Sequence, residues 1–276
     1  LTPKDGWFTE HYGGLPLAKN SAKKDGLKKP FQIHNTRKLD AIRSEIDELG
    51  LEKSEKNVLL TSLILALDRV DNTIGHFAAY LNEWSPRSFK TLKLTVPHLF
   101  KSQKQHKVLS SDIFEIIENV KCDLAYFDPP YGSNNEKMPP SRVRYAAYYH
   151  IWTSVVLNDK PEIFGKAKRR IDTSDSTAGS VFEEFRQNGN GRFLATEAIE
   201  KLLAKTKARY IILSYSSGGR STAAELFEIL EKAGKILEFV KVDYRQNVMA
   251  AMRRTNDWTR EVEKQNQEYL FLIEKR

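Results

Sequence analysis

Cysteine is nearly missing from this chain: one residue of 276, Cys122, is a cysteine. That excludes a disulfide scaffold and a cysteine-rich zinc cluster. Long hydrophobic runs are missing too. The longest dense apolar stretch, residues 58–67, is too short to cross a bilayer and runs straight into Asp68 and Arg69. No charged-then-apolar signal peptide opens the chain, and there is no internal repeat or low-complexity segment. The expectation is a soluble, cytoplasmic protein without a membrane partner. Leu1 stands where a Met would open a complete chain, so a fragment or processed product is expected. Hydrophobic residues make up 40% of the sequence, enough for a real core, so wholesale disorder is excluded.

Charge is unevenly placed. The 44 Lys and Arg against 36 Asp and Glu leave a net +8. Residues 84–111 carry Arg87, Lys90, Lys93, Lys101, Lys104 and Lys107 and no acid. Residues 138–170 carry Arg142, Arg144, Lys160, Lys166, Lys168, Arg169 and Arg170 against Asp159 and Glu162. Clustering of this kind suits a polyanion, because each phosphate contact releases counterions. A solvated basic face would look the same, so charge alone leaves nucleic acid as one of two readings.

Periodicity divides the chain. In 36–49, Leu39, Ile42, Ile46 and Leu49 repeat at helical spacing. Ser54 is the expected N-cap of a second, longer helix whose stripe runs through Leu59, Leu63, Leu67, Val70, Ile74, Phe77 and Leu81. Beyond Lys107 the pattern alternates. Strands are expected at 107–110, 124–127, 210–215, 236–244 and 268–274, and helices at 112–120, 181–185, 196–204 and 223–232. Alternation of this kind predicts an α/β fold with a mostly parallel, doubly wound sheet. The expected organisation is a helical and irregular region over 1–105 and an incomplete α/β core over 106–276.

The most informative run is Leu124-Ala125-Tyr126-Phe127-Asp128-Pro129-Pro130-Tyr131. A buried parallel strand ends there in Asp-Pro-Pro-Tyr, and ligand sites of open α/β sheets lie at the carboxyl ends of strands. Asp128 offers a fixed acceptor for an amino group. Pro129 and Pro130 stiffen the turn and present carbonyls without competing N–H groups. Tyr131 offers a flat face on which a base can stack. A structural turn after a strand is the alternative. Four fixed residues in about 270 windows arise by chance in roughly one chain in 600, so the run carries information.

This motif resembles the catalytic motif of S-adenosylmethionine-dependent DNA methyltransferases that act on the adenine amino group, in the Dam-like, FokI-modification-like class. Val108-Leu109-Ser110-Ser111-Asp112-Ile113-Phe114 looks like the family's preceding strand. By that resemblance Asp112 binds the cofactor adenine and Ile113 lines its ring, while Asp112 as a helix N-cap remains open beside it. Tyr148-Tyr149-His150 with Thr153, the closing 268–273 and the opening Gly6-Trp7-Phe8-Thr9-Glu10-His11-Tyr12 look like further segments of the class. The implied fold is a Rossmann-like methyltransferase sheet with a helical target-recognition insertion. The implied partners are double-stranded DNA and a cognate restriction endonuclease. Arg87, Lys90, Lys93, Lys166, Lys168, Arg169 and Arg170 are the expected phosphate contacts.

The family's Phe-x-Gly-x-Gly turn, which cradles the methionine part of the cofactor, is not found. Gly189-Asn190-Gly191 has the spacing without a preceding strand, and Gly218-Gly219 lies between a strand and a helix but lacks the phenylalanine and acid. The expectation is that the first strand-helix-strand unit, with half the cofactor site, lies outside this sequence. There is also no Pro-Cys pair of the kind that methylation of a cytosine carbon needs, and Cys122 reads as a buried small hydrophobe. Two rivals stay open: methyl transfer to RNA adenine, and a truncated or degenerate chain that binds DNA without catalysis.

Overall fold

A computed structural model describes residues 1–15, 29–132, 144–174, 179–243 and 267–276. Arg142 of the second basic stretch and the expected strand end Tyr244 lie outside the described residues. In chain order the elements are α1 (Trp7–Tyr12), β1 (Gly13–Gly14), β2 (Phe31–Gln32), α2 (Ile33–Glu48), α3 (Lys53–Asp68), α4 (Ile113–Ile116), β3 (Lys121–Phe127) and α5 (Tyr145–Tyr148). They continue with α6 (His150–Leu157), β4 (Ile163–Phe164), β5 (Arg169–Arg170), α7 (Leu194–Lys205), β6 (Lys207–Ser216), α8 (Ala223–Ala233), β7 (Gly234–Asp243) and β8 (Gln267–Lys275). The chain divides into two compact units. One comprises Leu1–Lys104 and Ala146–Ala178, the other Gln105–Tyr145 and Gly179–Arg276. The single boundary expected near residue 105 is therefore crossed again, because 146–178 returns to the first unit.

The first unit is helical. Leu39 and Ile46 of α2, with Leu60, Leu63 and Leu67 of α3 and Ile151 and Val155 of α6, bury an apolar core joined by Phe8, Tyr12 and Phe77. Asp40 of α2 fastens α1 to it, accepting from the backbone N–H groups of Phe8 and Thr9 at 3.1 and 2.8 Å and from the Thr9 hydroxyl at 2.6 Å. Helix α3 departs from expectation at both ends. Its N-cap is Glu52 rather than Ser54, because Glu52 and Glu55 form a reciprocal capping box. It ends at Asp68, so Val70 and Phe77 reach the core from a loop. That loop is tied down by polar bonds: Asn72 N–H donates to the Pro30 carbonyl at 2.7 Å, and Asn72 Oδ1 accepts from Ser85 N–H at 2.8 Å. These long-range bonds win over the helical spacing of the apolar residues.

The second unit holds a four-stranded sheet in the order β3-β6-β8-β7. β3 and β6 are parallel, with Phe127 beside Leu213, whereas β8 inserts antiparallel between β6 and β7. The mostly parallel sheet expected is thus a mixed one. Ile211, Leu213 and Tyr215 of β6 and Tyr269, Phe271 and Ile273 of β8 point to one face. There they pack with Ile199, Leu202 and Leu203 of α7 and Leu226, Ile229 and Leu230 of α8. The opposite face is far less covered. β3, expected to be buried, has a partner along one edge only among the described residues, and Leu124 and Tyr126 are 50% and 58% exposed. For the same reason Cys122, expected as a buried small hydrophobe, is exposed. The strand expected at 107–110 does not form, and the helix expected at 112–120 is α4 followed by one 3-10 turn. The helix expected at 181–185 is likewise a 3-10 turn, Val181–Glu183.

Candidate functional site

Asp128 follows β3 directly, placing Asp-Pro-Pro-Tyr at the carboxyl end of a strand whose neighbour β6 runs the same way. The Asp128 side chain is exposed, Pro129 is buried, and Pro130 and Tyr131 are half-buried. No ion pair holds Asp128 among the described residues. Its Oδ1 accepts a short hydrogen bond from the Tyr131 hydroxyl, and no hydrogen bond reaches its other oxygen among the described residues. Tyr131 is anchored from both ends. Its carbonyl accepts from Arg220 N–H at 2.7 Å and from the Tyr215 hydroxyl at 3.0 Å. Its hydroxyl also meets Glu268 Oε1 at 2.6 Å and Ser214 Oγ at 3.1 Å. Burial pushes that hydroxyl far above an ordinary phenol, reinforced by its bonds to the carboxylates of Asp128 and Glu268. It therefore acts as a neutral donor, and the arrangement presents a carboxylate acceptor beside an aromatic ring.

Ser214, Tyr215 and Glu268 are site residues that pattern reading missed. They enter because β6 runs past its pairing with Phe127, and because antiparallel β8 begins where β3 and β6 end. A usable signal was there: polar Ser214 and Glu268 interrupt apolar strands near their site ends. Gly219 completes the support. A side chain there would come within 2.4 Å of the Tyr215 ring, so glycine lets Tyr215 reach the Tyr131 carbonyl.

Asp112 and Ile113, expected from the motif as cofactor residues, both lie at the start of α4. Asp112 Oδ1 accepts from Phe114 N–H at 2.8 Å, the N-cap of α4. Its exposed side chain keeps a second oxygen, and half-buried Ile113 packs against the sheet core beside it. Those two residues fit the adenine end of a cofactor. The methionine end has no cradle among the described residues. The Gly218-Gly219 turn is filled by the Tyr215 ring, and Gly191 closes a local turn on the Asn188 carbonyl at 3.1 Å.

The seven expected phosphate contacts all lie in the first unit and separate into two groups. Lys90, Lys93, Lys166 and Lys168 are exposed. Asn35 holds the backbone between the first two, donating to the Lys90 carbonyl and accepting from Leu92 N–H, both at 2.8 Å. The arginines are engaged by partners within the unit. Arg170 is 3% exposed and clamped by Asp159 and Asp172, both at 2.7 Å. Arg87 pairs with buried Asp71 and donates to the carbonyls of Asp71 and Thr73. Arg169 donates to the Thr173 carbonyl and lies over the Phe164 ring at 5.0 Å. Arg170 is thereby corrected from a phosphate contact to a structural cation, since its donors already have carboxylate partners. His150, at the start of α6, is a core residue whose Nε2 lies 3.2 Å from the Phe77 carbonyl. Burial lowers its pKa to about 4.

The parallel pair β3 and β6 thus ends in Asp-Pro-Pro-Tyr with its aspartate exposed. The chain belongs to the D12 class N6 adenine-specific DNA methyltransferase family, whose profile matches residues 8–216. It is similar to Modification methylase StsI of Streptococcus sanguinis, 30% identical over 226 residues covering 78% of this chain and 31% of that protein. It is also similar to Type II methyltransferase M.FokI of Planomicrobium okeanokoites, 28% identical over 251 residues covering 89% of this chain and 35% of the relative. Type II methyltransferase M.NlaIII of Neisseria lactamica is 28% identical over the same length, 66% of its own. The chain thus spans about a third of the first two relatives and under two thirds of the third. No solved structure matches it. No helix among the described residues is long and apolar enough to cross a membrane.

Proposed function

We propose that this chain is the amino-activating half of an enzyme that methylates the N6 amino group of adenine in double-stranded DNA, the modification partner of a restriction endonuclease. Family membership supplies the reaction class. The observation that carries the reading to these residues is the exposed Asp128 carboxylate at the tip of β3, hydrogen-bonded to the Tyr131 hydroxyl and free of any ion pair among the described residues.

The amino lone pair of adenine is delocalised into its ring, so the base is a poor nucleophile in plane. A base flipped out of the duplex meets Asp128 and the Pro129 carbonyl, which accept its two N–H groups. Those bonds favour a tetrahedral nitrogen and localise the lone pair. Tyr131 and Pro130 limit how the ring can lie. Alignment and charge placement then supply most of the rate enhancement, with no covalent intermediate on the protein. S-adenosylmethionine supplies an electrophilic methyl group when bound. Asp112 and Ile113 suit its adenine end, and the open edge of β3 suits the strand of a unit carrying the glycine turn. Lys90, Lys93, Lys166 and Lys168 position the DNA backbone rather than read sequence.

The test is methyl transfer from tritiated S-adenosylmethionine to plasmid DNA by the full-length protein. Asp128→Ala is expected to lower kcat by at least about a hundredfold, at the scale of losing a charged acceptor in the transition state. Normal transfer by that variant overturns the assignment. Label recovered in RNA and absent from duplex DNA overturns the substrate class.

A further inference from the structure

Four oxygens meet where β3 and β6 end and β8 begins: the Tyr131 hydroxyl, Ser214 Oγ, and one oxygen each of Asp128 and Glu268. Tyr131 Oη lies 2.6 Å from Glu268 Oε1 and 3.1 Å from Ser214 Oγ, and it also donates to Asp128 Oδ1. Ser214 Oγ donates to the same Glu268 oxygen at 2.6 Å. A count of protons shows how such a cluster behaves. A phenol and an alcohol bring one each, and ionised carboxylates bring none. The Ser214 proton is directed at Glu268. The Tyr131 proton then faces two carboxylates and makes a full bond to one at a time, leaving the other against the lone pairs of the phenol oxygen. Asp128 and Glu268 therefore compete for a single hydroxyl. Neither has an ion-pair partner among the described residues to decide the contest.

We propose that Glu268, braced by Ser214, is a positioning residue of this site. When a base binds, Glu268 takes over the Tyr131 hydroxyl and so frees Asp128 Oδ1 to accept the incoming exocyclic amino group. The inference rests on the methyl-transfer reading and deepens it. With no base bound, Tyr131 keeps Asp128 satisfied. When an amino N–H reaches Oδ1, the phenol proton turns to Glu268, and one hydrogen bond replaces another with no covalent change. The Tyr131 ring stays in place through the exchange, because Arg220 N–H and the Tyr215 hydroxyl hold its backbone carbonyl. Ser214 is 3% exposed and has its bond to Glu268 already made, so the acceptor is preorganised.

The experiment is a double-mutant cycle in the full-length protein, with plasmid DNA and tritiated S-adenosylmethionine as the probes. Glu268→Ala is expected to lower kcat about tenfold while the KM for S-adenosylmethionine stays unchanged. Glu268→Gln keeps an acceptor oxygen and is expected to restore kcat to within about threefold of the parent protein. In a Tyr131→Phe background, where the contested hydroxyl is gone, Glu268→Ala is expected to change nothing further. Should Glu268→Ala not fold, judged by its circular-dichroism melt, Glu268→Asp takes its place in the same cycle, since the shorter side chain falls short of Tyr131. Parental kcat in Glu268→Ala, or an equal loss in both backgrounds, overturns the proposal while leaving the methyl-transfer reading intact. A parent protein that transfers no methyl group overturns both.

Discussion

The helical unit and the strand ends of the sheet unit treat charge in opposite ways. In the helical unit, buried Arg43 meets Asp47 at 2.7 Å and donates to the Val155 and Val156 carbonyls at the end of α6. Arg170 is clamped by two aspartates, and Arg87 by one. Burial pushes the Asp71 carboxyl up against the opposing pull of Thr73 and Arg87. At the ends of β3, β6 and β8, two carboxylates instead face one phenol, with no ion pair to either among the described residues. Opposite charges that satisfy one another hold loops in place. Acceptors left without a cation are available to a ligand. In the helical unit Arg43, Arg87 and Arg170 are thus engaged by the protein's own carboxylates, whereas Lys90, Lys93, Lys166 and Lys168 are exposed.

The contrast can be broken most forcefully at Arg170. Arg170→Met removes the buried cation from Asp159 and Asp172, whose side chains keep contact with water, and unfolding free energy is expected to fall by about 2 kcal/mol in urea titrations. The affinity of the folded variant for DNA should stay at the parental value. Loss of DNA affinity at unchanged stability would return Arg170 to the phosphate contacts. An effect of comparable size, seen only at low pH, follows from His150. Its folded pKa of about 4 lies below the ordinary 6.5, so the unfolded chain binds more protons between those values. Stability is therefore expected to fall as pH drops from about 6.5 towards about 4, by up to about 3 kcal/mol. His150→Gln should flatten part of that slope in melts recorded across the range.

The lysines sharpen the other side of the contrast. Replacing Lys90, Lys93, Lys166 and Lys168 with Ala is expected to reduce the slope of log affinity against log salt by about 3 to 4, measured by fluorescence anisotropy on duplex DNA. Stability should move by less than about 0.5 kcal/mol, because these side chains are exposed. The smallest effect concerns Asp112. Asp112→Ala removes the α4 cap at a cost of about 1 kcal/mol. If the second Asp112 oxygen serves the cofactor, affinity for S-adenosylmethionine falls further than Asp112→Asn allows, as titration calorimetry on the full-length protein can show.

Much of the architecture was legible because it depends on local pattern. The α2 stripe, the β6–α8–β7 succession and the last strand follow from apolar spacing alone, and each forms within a few residues of its expected place. Where the reading failed, distant partners intervened. The α3 stripe continues on paper to Leu81, yet Asn72 and Asp71 are recruited by Pro30, Ser85 and Arg87, and the helix stops. The stretch expected as a strand at 107–110 pairs with no strand among the described residues. Arg170 read as one more surface cation because Asp159 and Asp172 are visible in sequence only as neighbours of no stated geometry.

The sequence by itself determined the chemistry at one point: an acid, two imino acids and an aromatic residue after an apolar run place an acceptor and a flat face at a strand tip, since backbone stiffness and side-chain type are local properties. Tertiary structure alone decided what surrounds that tip. Ser214 and Glu268 stand 83 and 137 residues from Tyr131, and they share its hydroxyl because an antiparallel strand slots beside a parallel pair. Strand pairing follows from which edges can exchange hydrogen bonds, and that is a property of the assembled sheet rather than of any one segment.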